Sequence, residues 1–293
     1  MEVIRLSSGQ STLVVAPRSG SAIVNLVLAG QQVLRAPDDP APEAAHAGDL
    51  GEFPMVPWVN RVAEGRFIWE GERVELDAGA PHAERALHGI GWHRAWEVVD
   101  QSADELVVED RCDGRSGWPF RYTALRRFCL SGDAVRVELT VQNTGAGPMP
   151  ACGGFHPFFP AQGGAIRANV SGAWLCDERK IPSTWRTGYA CDRLADGLPV
   201  GDMELDHCFT DWDGRADLIW PSHTVRLEGS PGLGRLQIYT PSTGGFFCVE
   251  PQSAMPDALN RLPDESGLAV LQPGETLEMW MRLSISFPDE THR

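Results

Sequence analysis

The segment ACGGFHPFFP, Ala151 to Pro160, sets one histidine among three phenylalanines, two prolines and a pair of glycines. The phenylalanines supply apolar surface to bury, while the prolines fix φ and remove backbone donors, so an ordinary helix is excluded. The segment is therefore predicted to be a strand end that turns into a stiff loop. His156 is a candidate general acid or base, because burial or a nearby carboxylate shifts an imidazole pKa that starts near neutral. A core histidine bonded to one backbone carbonyl is the alternative interpretation.

Runs with the pattern of β-strands continue in both directions from this segment. Short apolar or alternating runs, each closed by Gly, Pro or Ser, recur about every ten residues, which is typical of antiparallel strands. Glu70 to Glu72 predicts one hairpin turn, and Pro273-Gly274 predicts the last hairpin. Asp38 to Gly51 is acidic, rich in Pro and Ala, and predicts a surface loop.

The chain shows no helical period long enough for a sustained helix, no fixed repeat and no alternation of strands with helices. We therefore predict an all-β fold, a large antiparallel β-sandwich with few short helices. A single domain over residues 1–293 is expected, because no break in composition divides the chain.

Composition excludes several classes of function. The 293 residues contain 25 Lys and Arg against 40 Asp and Glu, a formal net charge of −15, which speaks against nucleic acid and anionic membranes as partners. No apolar run approaches the roughly 20 residues of a membrane span, and the N-terminus lacks the apolar stretch of a signal peptide. The seven cysteines are scattered, as expected for reduced thiols in the cytosol. We expect a cytoplasmic protein without a cysteine metal site, and a monomer or a homodimer.

Two stretches before the central segment carry unusual polar residues. In FPMVPWVNRVAEGRF, Asn60 and Arg61 follow a proline-bounded aromatic run, and the donor fork of an arginine can hold ring hydroxyls or an oxyanion. In ALHGIGWHRAWEV, His88 and His93 lie five residues apart. That spacing is not typical of metal ligands, and no carboxylate flanks it. A surface arginine is the plain alternative for Arg61.

Two later stretches add carboxylates. MELDHCFTDWDG contains Asp206, and its Asp211 and Asp213 flank Trp212. A carboxylate beside an aromatic ring is a common way to bind a sugar, although an acidic turn would look the same. GGFFCVEPQSAMPDALN places Glu250 at the end of a strongly apolar strand, where desolvation would raise its pKa toward the range of a useful base.

Taken in order, these stretches resemble the aldose 1-epimerases, also called galactose mutarotases. The similarity is carried by PWVNRVAEGRF, LHGIGWHRAWEV, FHPFF, LDHCFTDWDG and CVEPQSAMPDALN, with GETLEMWMRLSI near the C-terminus. The resemblance implies a β-sandwich with an open cleft, no cofactor, and interconversion of the α and β anomers of a free sugar. By position it makes Glu250 the catalytic base and His156 the catalytic acid. It places sugar binding at Arg61, His88 and Asp206, with Asn60 beside them.

Two positions depart from the family pattern. Ile90 stands where a second glycine often follows the histidine-glycine pair, and Phe158 stands where a tyrosine is usual. These two positions bear on contacts with the substrate, and so on which sugar binds, more than on the reaction class.

The chemistry itself requires one base and one acid. Ring opening of a hemiacetal removes a proton from the anomeric hydroxyl and gives one to the ring oxygen. These roles predict an ionised Glu250 and a protonated His156 in the free enzyme.

Three other functions remain open at this point. The substrate would be a hexose with a 6-phosphate or 6-sulfonate group if Arg85, Arg94 or Arg186 met that anion. A carbohydrate-binding sandwich without catalysis would use the same aromatics and Asp206. A metal-dependent β-barrel isomerase would use His88, His93 and His156.

Overall fold

The computed structural model describes residues 2–37, 46–76, 86–115, 117–243 and 245–288. Residues 38–45 of the predicted surface loop and Arg85 lie outside these ranges. The described chain forms two large antiparallel sheets, of eleven and nine strands, and two sheets of two strands each. The prediction of an all-β sandwich with few short helices is confirmed.

In chain order the strands are β1 (Ile4–Ser8), β2 (Ser11–Ala16), β3 (Ala22–Leu28), β4 (Gln31–Gln32), β5 (Glu52–Met55), β6 (Arg66–Trp69), β7 (Glu72–Glu75), β8 (Glu97–Gln101), β9 (Glu105–Asp113), β10 (Arg121–Ser131), β11 (Ala134–Asn143), β12 (Met149–Ala151), β13 (Gly154–Pro160), β14 (Ala165–Ala168), β15 (Gly172–Cys176), β16 (Pro182–Thr187), β17 (Leu198–Pro199), β18 (Asp206–Thr210), β19 (Arg215–Trp220), β20 (His223–Gly229), β21 (Arg235–Tyr239), β22 (Phe246–Gln252), β23 (Ala269–Leu271) and β24 (Thr276–Ser286). The α-helices are α1 (Cys191–Asp196) and α2 (Pro263–Ser266), and short 3₁₀ turns span Ala47–Asp49, Ala63–Gly65, Gly91–His93 and Ala258–Asn260.

The eleven-stranded sheet has the order β1-β2-β3-β5-β13-β22-β21-β18-β15-β16, with β4 paired to β3. The nine-stranded sheet has the order β17-β14-β19-β20-β24-β11-β10-β9-β8. Alternate residues along the strands are buried, as in β10, where every second side chain from Tyr122 to Leu130 points inward. One cluster of buried hydrophobic side chains includes residues of both sheets. The core therefore lies between them.

Three local predictions can be compared with this architecture. The hairpin at Glu70 to Glu72 is confirmed: Glu70 and Gly71 have φ of 49° and 85° and join the paired strands β6 and β7, as a two-residue turn of this kind requires. The prediction of a last hairpin at Pro273-Gly274 is wrong. Pro273-Gly274 leads from β23, which pairs with β12, into β24, which pairs with β11 and β20.

The stiff loop predicted after His156 is also wrong, because β13 runs from Gly154 through both prolines to Pro160. Pro157 removes one backbone donor, but its fixed φ is compatible with a strand. Pairing resumes at once, since the backbone N–H of Phe158 donates to the Gly51 carbonyl at 2.9 Å. Within the ranges given above, no helix is both long and apolar enough to cross a membrane.

Candidate active site

The floor of the candidate site is one face of the eleven-stranded sheet. Directly paired residues of antiparallel strands point to the same side, and β5, β13, β22 and β21 are neighbours here. Their pairing produces a first row of side chains, Phe53, His156, Glu250 and Gln237. A second row lies two residues away along the same strands. It consists of Phe158, Cys248 and Tyr239, and it continues on β18 with Asp206.

Asn60, Arg61 and His88 reach the same place from loops. Asn60 and His88 both have positive φ, 51° and 62°, and the backbone N–H of His88 donates to the Asn60 carbonyl at 2.8 Å. The Asp257 N–H donates to the Arg61 carbonyl at 2.7 Å, while the Asp257 carboxylate accepts from Ala63 N–H at 2.9 Å. The PDALN segment that follows Glu250 in the chain therefore fixes the loop that carries Arg61.

Gly89 explains the glycine of the LHG element. It has φ of 77°, and a Cβ at this position would lie 2.0 Å from the Val56 carbonyl oxygen. Both the backbone conformation and the close approach exclude a larger residue. The N–H groups of Ile90 and Gly91 each donate to the same carbonyl at 3.0 Å, which fixes the turn after His88 against the residue that follows β5.

These elements enclose a cleft of about 390 Å³. All six residues predicted for the site line it: Asn60, Arg61, His88, His156, Asp206 and Glu250. Sequence reasoning did not assign its remaining lining residues to the site, namely Gly48, Phe53, Leu87, Trp92, Phe158, Lys180, Gln237 and Tyr239. The structure thus brings together residues that lie up to 190 positions apart (60 to 250), although their roles stay predictions.

His156 and Glu250 form the chemical centre of the cleft. His156 Nε2 lies 3.4 Å from Glu250 Oε1, and both side chains are almost completely buried. The imidazole packs against both Phe53 and Phe158, with ring centroids 4.5 and 4.6 Å away. The Gln252 amide donates to the other carboxylate oxygen at 3.1 Å. An acid and a base are therefore held side by side in an apolar setting.

Burial shifts the pKa values of both members of this pair. Desolvation, with a smaller contribution from Asp206, raises the pKa of Glu250 well above its usual value. Desolvation also lowers the pKa of His156 to about 3, with Arg35 and Arg61 acting in the same direction. The 3.4 Å separation would suit an ion pair, but burial disfavours both charges. Burial therefore favours the neutral form of the pair, with the shared proton on Glu250, over the ionic form that the predicted catalytic roles start from.

Polar groups at the other end of the cleft are suited to hydroxyl recognition. Asp206 accepts from the Gln237 amide at 3.0 Å and lies 3.3 Å from the Lys180 ammonium. Gln237 Oε1 and Arg61 Nε are buried and have no hydrogen-bond partner among the described residues. A buried polar group without a partner is costly, so these two atoms mark unsatisfied polar groups in residues of the cleft wall.

Several predicted candidates do not reach the cleft. Arg94 is bonded to Asp110 at 2.6 Å, and Arg186 lies on β16, outside the cleft lining. Trp212 donates to the Arg215 carbonyl at 2.9 Å and is buried elsewhere. MELDHCFTDWDG thus contributes only Asp206 to the site.

The three histidines of the metal-dependent alternative are not assembled, because His93 lies beside His46 and does not line the cleft. Among the residues that the structure describes, the group that could hold a metal ion is instead His156, Cys248 and Glu250, whose ligand atoms lie within 4.8 Å of one another. This set is the acid–base pair with one added thiol.

Comparison with known proteins shows the family and the fold. Residues 2–284 match the family model for aldose 1-epimerase. The uncharacterized Escherichia coli K12 protein YphB is 31% identical over 264 residues, covering 85% of this chain and 88% of its own. A second uncharacterized protein of that strain, YihR, is 21% identical over 257 residues, covering 83% of this chain and 81% of its own.

Solved structures show the same fold. The crystal structure of a candidate aldose 1-epimerase from Escherichia coli K12 has a TM-score of 0.88 at 28% identity, covering 98% of this chain and 99% of its own. A galactose mutarotase-like protein from Clostridium acetobutylicum has a TM-score of 0.84 at 19% identity, with 98% and 95% covered. The family model spans nearly the whole sequence, and the chain therefore belongs to the aldose 1-epimerase family.

Proposed function

We propose that the protein interconverts the α and β anomers of a free aldose by opening and closing the sugar ring. The observation that supports this most directly is the pair His156 and Glu250, 3.4 Å apart at the floor of a cleft. Asn60, Arg61, His88 and Asp206 would hold the sugar hydroxyls beside that pair, with Gln237 as a further contact.

The reaction needs two proton transfers. The Glu250 carboxylate takes the proton of the anomeric hydroxyl, the bond between C1 and the ring oxygen breaks, and the ring oxygen takes a proton from His156. The open aldehyde rotates about its C1–C2 bond, and the same two groups close the ring from the other face. Each such transfer commonly contributes about 10²–10⁴-fold to the rate.

The preference of the pair for its neutral form is consistent with this order of proton transfers. The ionic form of the pair, which starts the reaction, and the neutral form contain the same number of protons. Ring opening converts the ionic form into the neutral form, so the step removes two charges from a buried site where both are unfavourable. Sugar hydroxyls that donate to Glu250, together with the Gln252 amide, favour the ionic form before opening.

The charges around the cleft favour a neutral sugar over a 6-phosphate or 6-sulfonate. Arg61 and Lys180 are the cationic residues that line it, and Asp206 and Glu250 are anionic. Lys180 is already paired with Asp206 at 3.3 Å. An anionic substituent would therefore have to compete with a carboxylate for its cation. A protein that only bound carbohydrate would not need a buried His and Glu pair, because each buried ionisable group is costly.

Exchange between anomers is the test. Glucose, galactose and hexose 6-phosphates are incubated with the protein in EDTA, and magnetisation transfer or polarimetry follows the approach of a single anomer to equilibrium. We expect clear acceleration of at least one neutral aldose, and loss of most of it in Glu250→Gln. Binding of these sugars without acceleration of any of them would show a carbohydrate-binding protein instead.

A further inference from the structure

A thiol lies beside the acid–base pair. Cys248 is two residues before Glu250 on β22, so the two side chains point to the same face of the sheet. Cys248 is also paired with Phe158 of β13, two residues beyond His156. A nitrogen of His156, the sulfur of Cys248 and a carboxylate oxygen of Glu250 lie within 4.8 Å of one another. The proposed mechanism uses the nitrogen and the oxygen and leaves the sulfur without a role.

The other buried cysteines lack such neighbours. Cys112, Cys152 and Cys208 are also buried thiols, but among the described residues none of them belongs to a group of three side chains that could ligate one ion. A free cysteine in a core usually behaves as a small hydrophobic residue. Cys248 therefore differs from the other buried thiols in the donor atoms around it, and not in its burial.

The separations of the three ligand atoms suit zinc. Zinc is bound at about 2.0–2.2 Å by histidine nitrogen and carboxylate oxygen and at about 2.3 Å by thiolate sulfur, so two ligand atoms of a tetrahedral ion lie about 3.3–3.7 Å apart. His156 Nε2 and Glu250 Oε1 are 3.4 Å apart. Because the sulfur lies within 4.8 Å of both ligand atoms, shifts of about 1 Å shared among three side chains bring it into this range.

The donor set selects zinc over harder cations. Imidazole and thiolate ligands suit zinc and similar transition metals, whereas magnesium and calcium prefer oxygen ligands. The thiolate of Cys248 and the carboxylate of Glu250 carry two negative charges, which equal the charge of the ion, and buried charges are tolerated when they coordinate a metal. Neutrality of the occupied site matters because Arg35 and Arg61 act electrostatically on His156 and would oppose an excess of positive charge.

The ion reaches these ligands from the cleft. His156 and Glu250 line the cleft, whereas Cys248 is completely buried. Three protein ligands leave one position of a tetrahedral zinc ion open for water or a sugar hydroxyl. A nitrogen and an oxygen that are bound to the metal have no free lone pair for the proton transfers that ring opening requires.

We propose that zinc binds His156, Cys248 and Glu250 and thereby inhibits the interconversion of anomers. The inhibition rests on the proposed mutarotase function of the cleft, whereas the binding does not. Binding displaces the proton of the thiol and the shared proton of the acid–base pair. No group then remains to take a proton from the anomeric hydroxyl or to give one to the ring oxygen, and a chelator that removes the metal restores both.

Cobalt, which replaces zinc in tetrahedral sites and absorbs light, measures the binding. The reduced protein is freed of metal with EDTA, dialysed and titrated with Co²⁺. We expect a charge-transfer band from thiolate to cobalt in the near ultraviolet, which Zn²⁺ removes by displacement. Cys248→Ala should lose this band, whereas Cys191→Ala, whose thiol does not line the cleft, is the matched control and should keep it. Absence of the band in the wild type, or its retention in Cys248→Ala, would overturn the proposal.

Exchange between the anomers of glucose and galactose, followed at rising Zn²⁺, measures the inhibition. We expect Zn²⁺ to abolish the acceleration by the wild-type protein and EDTA to restore it. Relative to its own metal-free rate, Cys248→Ala should need at least about tenfold more Zn²⁺ for half inhibition, because loss of outer-shell partners alone costs about 10–100-fold in metal affinity. Cys248→Ser, which is closer in size to the wild type, should behave in the same way and replaces Cys248→Ala if alanine destabilises the fold.

Two further outcomes separate this inference from the proposed function. Equal zinc sensitivity of the wild type and both Cys248 variants, or faster exchange in the presence of Zn²⁺, would exclude an inhibitory site at this thiol. If the metal-free protein accelerates exchange of no aldose, the mutarotase function fails and the inhibition fails with it. The cobalt band then decides by itself whether His156, Cys248 and Glu250 hold a metal ion.

Discussion

Glu52 and Arg126 form a completely buried ion pair that joins the two sheets, with Arg126 Nη2 2.7 Å from Glu52 Oε2. Arg126 also donates to the Ser21 carbonyl at 2.6 Å. The residue after Glu52 is Phe53, whose ring is stacked on His156. Successive strand residues point to opposite faces, so Glu52 faces the core and Phe53 faces the cleft. The ion pair therefore anchors β5 from the core side, while the other side of β5 forms part of the cleft floor.

Breaking this ion pair should strongly destabilise the fold. Arg126→Met leaves the Glu52 carboxylate buried without its partner, which typically costs about 3–5 kcal/mol. Urea denaturation measures the change. The double variant Glu52→Gln, Arg126→Met removes both charges and should recover most of the loss. A single variant that loses less than about 1 kcal/mol would show that the pair is not anchoring the strand.

Gly89→Ala should impair both stability and sugar binding. The new Cβ would lie 2.0 Å from the Val56 carbonyl oxygen, in addition to the strain of φ at 77°, and His88 is the adjacent residue. Gly71→Ala is the matched control, because Gly71 has φ of 85° but nothing within 4 Å of an added Cβ. We expect the control to cost only the strain, about 1–2 kcal/mol, with unchanged KM. Equal effects of the two variants on unfolding temperature and KM would contradict this account.

Glu250→Gln should lower turnover about 10²-fold or more and still raise the melting temperature. Burial raises the pKa of Glu250, so the unfolded state ionises first and the wild-type fold loses stability as pH rises above about 4.5. Glutamine has no such charge. The stability gain of the variant should therefore grow between about pH 5 and 8, as followed by thermal unfolding, whereas Glu72→Gln on exposed β7 should show no such trend.

Catalysis should be nearly independent of pH across about pH 5 to 8, where proteins are usually most stable. On the acid side a second proton must enter the pair to remove the base, and burial lowers the pKa of His156 to about 3. On the alkaline side activity ends when the single shared proton leaves, which the raised pKa of Glu250 delays. The measurement is kcat/KM, corrected for uncatalysed mutarotation. An acid limb near pH 6.5 would mean that His156 keeps an ordinary pKa.

The sequence predicted the strands well and their partners poorly. Alternation of buried and exposed residues is a local property, and it is visible in runs such as Arg121–Ser131. Pairing is not local: β13 and β22 lie about ninety residues apart. Only the family resemblance placed His156 beside Glu250 before the structure did. Pro273-Gly274 shows the same limit, because a turn signal indicates that the chain bends and does not identify the strand it meets.

The missed site residues had no local signal of their own. Gln237 stands in an ordinary alternating strand, and it joins the site only because β21 pairs with β22 in a register that sets it opposite Glu250. Lys180 lies in a stretch without regular pattern, next to Asp206 only in three dimensions. The depth of burial of His156 also has no local signal, since it follows from packing against Phe53 of the neighbouring strand as well as Phe158.

The residues of the candidate site lie on two kinds of structure, central strands and loops. His156 and Glu250 lie on adjacent central strands of the eleven-stranded sheet, whose geometry is fixed by pairing on both sides. Asn60, Arg61, His88 and Lys180 lie on loops and a hairpin tip, which tolerate insertions and exchange far better than strands do. Under the proposed function, such loops can be replaced to select a different sugar while His156 and Glu250 keep their separation, so the sheet is a stable base for engineering specificity.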